Sequence, residues 1–141
     1  KINTAGIPDN IMKTLILDVQ FNERYFERVI HHEIFHIIND QFTELFDYDK
    51  WRNFNTKVFK YKTCSTCTDK FGIELLKETK GFFTEYSQST VGEDMAETFS
   101  FLMIENLKLK LKLQNDYILK EKVNFIKTNI LLIDQNFKFI I

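Results

Sequence analysis

Five consecutive residues, His32-Glu33-Ile34-Phe35-His36, hold two imidazoles at i and i+4 with a carboxylate between them. On a helix, residues four apart lie on one face, about one turn from each other. Two ring nitrogens placed in this way can share one divalent ion, and H-E-x-x-H is a zinc-binding pattern when it stands on a helix. Glu33 follows His32 directly and points beside such an ion. From there it can take a proton from an activated water and pass it to a leaving amine. The competing account is a helix with surface histidines and an incidental glutamate. His31 completes an inventory of three histidines. It projects about 100° away from His32, as a surface or supporting residue.

A catalytic zinc has three protein ligands and an open position. With no further histidine, the third ligand has to be Asp, Glu or Cys. Asp40 lies one turn past His36 and Glu44 two turns past it. A straight helix does not readily aim three successive turns at one ion. Glu93-Asp94-Met95-Ala96-Glu97 is the stronger source. Glu93 and Glu97 share a helix face. One can ligate the ion while the other accepts an N–H from a ligand histidine and fixes its tautomer. Ala96 is small enough to let two helices approach. By itself, the same stretch also reads as a helix start with acids drawn to the positive end of the dipole. Tyr86 stands seven residues before Glu93. Its phenol could stabilise an oxyanion, and a packed tyrosine at a loop end is an equally open reading.

The elements that must carry these residues follow from pattern. Residues 1–13 read as irregular, and Thr14 to Val19 as a short strand rich in branched apolar residues. Asn22 caps a helix from Glu23 to about Gln41 or Phe42. On it Phe26, Ile30, Ile34, Ile37, Ile38 and Gln41 mark the face expected to be buried. Residues 45–71 read as packed, aromatic-rich loop, and Phe71 to Lys77 as a short helix or another turn. A second strong helix is expected over 92–106 and a final amphipathic helix from Asp116 to about Asp134. Leu107, Leu109, Leu111 and Leu113 alternate with polar residues, which suits a strand, yet they sit between helical stretches.

The chain has 141 residues, a length that suits one domain with one core, spanning 1–141. Fifteen phenylalanines, one proline and four glycines favour helices over a turn-rich β fold. The net charge of −1 offers no basic excess for nucleic acid. Lys108, Lys110, Lys112, Lys120 and Lys122 read as solvated faces. No apolar run reaches membrane-span length and no signal peptide is visible. Cys64 and Cys67 supply half of a structural zinc site at most and read as a loop with two thiols or a local disulfide.

At these residues the sequence resembles the catalytic domain of anthrax lethal factor and the proline-specific bacterial endopeptidases. It also resembles a broader set of zinc-binding metallopeptidases found as bacterial secreted proteins and lipoproteins. Those carry H-E-x-x-H and, downstream, a pattern like Y-x(6)-E-[DEF]-x-A-E-x-F, matched by Tyr86, Glu93, Asp94, Ala96, Glu97 and Phe99. The resemblance covers roughly residues 25–105. It implies Zn²⁺ on His32, His36 and Glu93, Glu33 as general base, Tyr86 as transition-state donor and Glu97 as support behind a ligand. It implies an α+β, mainly α, zincin-like fold with a reduced N-terminal sheet, in which residues 14–19 supply the edge strand beside the substrate. Phe35 replaces a glycine of lethal factor and demands room near the cleft. The expected function is a zinc-dependent endopeptidase, secreted or extracytoplasmic and monomeric, acting on a protein or peptide. The alternatives are a non-catalytic zincin-like binding module and a helical interaction domain without metal.

Overall fold

The computed structural model describes residues 5–20, 23–66, 72–104 and 107–141. Strands β1 (Gly6–Asp9) and β2 (Thr14–Leu17) pair antiparallel, with Gly6 opposite Leu17 and Asp9 opposite Thr14. The Asp9 carboxylate accepts the Ile11 and Met12 N–H groups at 3.0 and 2.8 Å and closes the turn. Lys13 takes a left-handed φ of 55° to complete it. Residues 6–9 are therefore strand rather than irregular: Pro8 suits an edge position, where no ladder donor is needed.

Among the described residues five helices follow: α1 (Glu23–Gln41), α2 (Tyr48–Arg52), α3 (Val91–Leu102), α4 (Leu107–Asn115) and α5 (Tyr117–Ile133). A 3₁₀ turn at Tyr86–Gln88 precedes α3. The result is mainly helical with one small two-stranded sheet. Capping sets several helix starts. Asp47 accepts from Asp49 and Lys50 at the start of α2, Thr90 from the Glu93 N–H at that of α3, and Asp116 from the Leu119 N–H at that of α5. Helix α2 falls inside the stretch expected to be loop, and α3 ends four residues before 106. No helix appears among the described residues of 72–77; Phe71 lies outside them.

The leucine–lysine alternation at 107–113 is helical. A period of two also places leucines at i and i+4. Leu109 is buried and Leu113 half-buried on one side, while Leu107 and Leu111 are exposed on the other. The core is built from Phe35, Phe46, Trp51, Phe83, Met95, Phe99, Leu119 and Ile126. The Phe35 ring meets Phe46 and Phe99 at 5.1 and 5.3 Å. Phe35 is thus turned into the α1–α3 interface and takes no room from the cleft. Ala96 is fully buried on α3.

Helix α1 departs from the expected pattern. Its buried positions are Arg28, His32, Glu33, Phe35 and Asn39. The expected isoleucines and Phe26 are only half-buried, and Gln41 is exposed. Arg28 and His32 in this polar stripe meet partners on α3 and the loop before it, and Asn39 meets Tyr48 of α2.

Candidate metal centre

The polar stripe of α1 faces the first turns of α3. His32 Nε2 lies 2.9 Å from Glu93 Oε2, His36 Nε2 lies 3.3 Å from the same oxygen, and the two Nε2 atoms are 3.2 Å apart. Among the described residues, His32, His36 and Glu93 form the cluster able to hold a metal ion. Zinc bonds of about 2.0–2.1 Å at a tetrahedral angle separate neighbouring donors by roughly 3.3 Å. The three edges of this triangle fall close to that value. Two imidazoles and a carboxylate are also the donor types that zinc accepts. The residues therefore fit the ion.

Glu97, one turn after Glu93, stands behind His32. Its Oε1 lies 3.0 Å from His32 Nδ1. A carboxylate can only accept, so Nδ1 carries a hydrogen, and Nε2, on the Glu93 side, is the nitrogen left for a metal ion once its own proton is displaced. The other Glu97 oxygen accepts from Arg28 Nη1 at 2.6 Å and from the Thr84 hydroxyl at 2.7 Å. Arg28 Nη2 donates onward to the Ile73 carbonyl at 3.0 Å. Burial works against the Glu97 charge, but Arg28, His32 and Thr84 outweigh it and hold the carboxyl below its usual range. Burial likewise opposes a charged His32, yet hydrogen bonds to Glu93 and Glu97 push its pKa up to about 10. Glu93 is driven in the opposite sense: burial would raise it, and its bonds to the two histidines carry it well below the carboxylate range.

Glu33 is buried beside the triangle. Burial raises its pKa, with the two histidines pulling down and Glu93 pushing up. Gly6 of β1 lies directly over it: a Cβ on Gly6 would stand 2.6 Å from Glu33 Cγ. Only a residue without a side chain permits that approach. Tyr86 sits in the 3₁₀ turn with its ring 5.8 Å from that of His32. Its hydroxyl donates to Glu93 and is hydrogen-bonded to Ser65. Burial, reinforced by the Glu93 charge, raises its pKa. The turn is set by Thr84 and Ser87, whose side chains each accept the other's backbone N–H at 3.1 Å.

These groups open into a cleft of about 710 Å³ that is walled by Gly6, Ile7 and Pro8, by α1, by Tyr48 and by Ser65–Thr66. The strand beside the cleft is β1. The segment 14–19, expected there, pairs on the far side of β1, and its described strand ends at Leu17. The donors gathered are thus His32, His36 and Glu93, with Glu33, Tyr86 and Glu97 around them. Asp40 lines the cleft but lies outside the triangle, and its carboxylate pairs with Lys13 at 3.7 Å. His31 is not among the lining residues. Cys64 is disulfide-bonded; Cys67 lies outside the described residues.

Arg28 and Thr84 were not legible as site residues. Arg28 stands one turn before His32 on the same face, which was the available signal. Asp94 matches the downstream pattern, and the structure places it in a separate buried cluster. It is fully buried and accepts from Trp51 Nε1 at 2.8 Å, the Tyr61 hydroxyl at 2.5 Å and Lys122 Nζ at 2.6 Å. Lys122 is therefore buried and not part of a solvated face.

A helical frame with a His-His-Glu donor triangle in a cleft is an arrangement that could hold a metal ion. The chain matches the family described as putative zinc-binding metallo-peptidase over residues 6–130, and it belongs to that family. No curated protein and no solved structure matches it significantly. No helix among the described residues is long and apolar enough to cross a membrane.

Proposed function

We propose that the chain is a zinc-dependent endopeptidase of zincin type, with His32, His36 and Glu93 as the ligands. The observation that carries this reading is the triangle of donor atoms at 2.9–3.3 Å beside the Glu33 carboxylate. When bound, Zn²⁺ polarises a carbonyl and lowers the pKa of water towards about 7. Glu33 takes the proton from the attacking water and hands it to the departing amine. Burial raises its proton affinity, which strengthens it as a base. The Tyr86 hydroxyl turns from Glu93 to donate to the developing oxyanion. Glu97 keeps His32 in the tautomer that leaves Nε2 free to bind.

The substrate is a protein or peptide segment lying in the cleft along β1. The disulfide at Cys64 supports an extracytoplasmic site of action, since such bonds persist in oxidising compartments.

The test measures zinc content and cleavage of casein, with and without chelator, in the wild type and in Glu33→Gln. The expected result is one equivalent of zinc in both proteins. Cleavage by the wild type should be abolished by chelation, and in Glu33→Gln it should fall by roughly 10²–10⁴. Undiminished cleavage by Glu33→Gln, or by the chelated wild type, would overturn the mechanism. Zinc binding without cleavage by the wild type would favour a non-catalytic binding module.

A further inference from the structure

Tyr48 opens α2 on the wall of the cleft, and it plays no part in the mechanism above. Tyr48 is 39% exposed and lines the cleft together with His36, Asn39 and Glu93. Asn39, one turn after His36 on α1, donates its Nδ2–H to the Tyr48 oxygen at 2.8 Å. Asn39 itself is only 8% exposed, so the amide that grips the phenol is held inside the protein. A phenol oxygen that accepts from an amide keeps its own O–H to give away. Among the described residues, no acceptor for that O–H is found.

The third neighbour is Gly92. A Cβ there would lie 3.1 Å from the Tyr48 oxygen. The residue just before Glu93 therefore leaves its space to the phenol. The hydroxyl is thereby brought against the start of α3, one residue from a donor of the triangle. Tyr86 differs, since its hydroxyl is already engaged with Glu93 and Ser65. The two phenols thus have different local bonding, one satisfied by the site and one oriented with a donor to spare.

Resting on the endopeptidase reading, we infer that Tyr48 is a substrate-binding residue. Its O–H donates to a backbone carbonyl of the bound peptide, and Asn39 is the positioning residue that aims it. The contact holds the chain in place and takes no part in proton transfer. It is therefore made alike in the bound substrate and in the transition state. Such an interaction raises KM when it is lost and leaves kcat nearly unchanged.

The experiment uses two readouts. The first is casein hydrolysis by the zinc-loaded wild type, Tyr48→Phe, Asn39→Asp and the double variant. The second is binding of fluorescently labelled casein to zinc-loaded Glu33→Gln, with and without Tyr48→Phe. Zinc content and melting temperature are recorded for every variant. Loss of one such hydrogen bond should raise KM about two- to tenfold, with kcat within about twofold, and should weaken casein binding by the same factor. In Asn39→Asp the carboxylate accepts the Tyr48 O–H and withdraws it. That variant should match Tyr48→Phe, and the double variant should be no worse than either. A merely structural pair would lower the melting temperature and leave KM alone. The inference is overturned if Tyr48→Phe keeps full zinc, KM and casein affinity, which would mean that the hydroxyl serves Asn39 only. It is also overturned if the loss falls on kcat. A wild type that binds zinc and cleaves nothing defeats the endopeptidase reading instead, and the casein-binding arm still reports on Tyr48.

Discussion

Glu93 and Glu97 are both buried acids one turn apart, and their surroundings assign them different work. Glu93 meets two imidazole nitrogens, whereas Glu97 meets one imidazole, a guanidinium and a hydroxyl. Glu93→Ala should therefore lose more zinc affinity than Glu97→Ala, for which about 10–100-fold is expected. Stability should rank them the other way. Glu97→Ala strands the buried Arg28 charge and should cost about 3–5 kcal/mol in urea unfolding of the metal-free chain. The reverse order of zinc affinities would exchange their roles. The His32 proton gives a second test. Its pKa in the metal-free fold is about 10, above the ordinary 6.5. A raised value contributes stability that is complete below about 6.5 and is lost as pH climbs through about 10. The metal-free protein should thus weaken from pH 7 towards pH 10, and His32→Gln should flatten that decline. Zinc has to displace a proton from the same nitrogen, so zinc affinity should rise with pH. Calorimetry in two buffers of different ionisation enthalpy would count the protons released.

The elements make these residues meet. Helix α1 supplies two imidazoles and the base from one face, and Thr90 fixes where α3 begins and so where Glu93 points. The hairpin roofs the base. Gly6→Ala pushes a methyl group into Glu33 Cγ, so either β1 lifts or the carboxylate swings. The expected outcome is retained zinc, a stability loss of about 1–3 kcal/mol and a fall in kcat. Unchanged kcat in a zinc-loaded Gly6→Ala protein would show that the hairpin does not hold Glu33 in place. On the other wall, the Thr84–Ser87 turn sets Tyr86, and Ser65 beside the Cys64 disulfide reaches the same phenol.

Across the whole molecule, α3 works on two faces. One carries Glu93 and Glu97 to the donor triangle. The other sends Asp94 into a buried cluster with Lys122 of α5, Trp51 of α2 and Tyr61. Lys122 Nζ also donates to the Gly81 carbonyl at 2.6 Å and lies 4.0 Å from the Phe82 ring centre. Burial pushes the Asp94 carboxyl up and the Lys122 amine down, against their mutual attraction. Such a pair costs more to break than to replace. Lys122→Met should destabilise by about 3–5 kcal/mol, and adding Asp94→Asn should recover part of that loss. A change under about 1 kcal/mol for Lys122→Met would mean that the cluster does not tie α5 to α3. Zinc affinity per folded molecule should stay constant in both variants, because neither residue touches the triangle.

Local spacing was enough to read His32 and His36 as one helix face, to put Glu93 and Glu97 on one face of another helix, and to find α1, α3 and α5. Those features depend on residues within about one turn of each other, and a helix has a single period to display. The segment 107–113 shows where this ends, since its leucines satisfy two periods and burial had to choose. Three things were decided only by long-range packing: β1 rather than β2 beside the cleft, the polar stripe of α1 in place of its isoleucines, and the burial of Lys122. Each depends on a partner far along the chain, Glu33 for Gly6, Glu97 for Arg28 and Asp94 for Lys122. A buried charge or a bare glycine gains its meaning from what is packed against it, and sequence spacing does not carry that information.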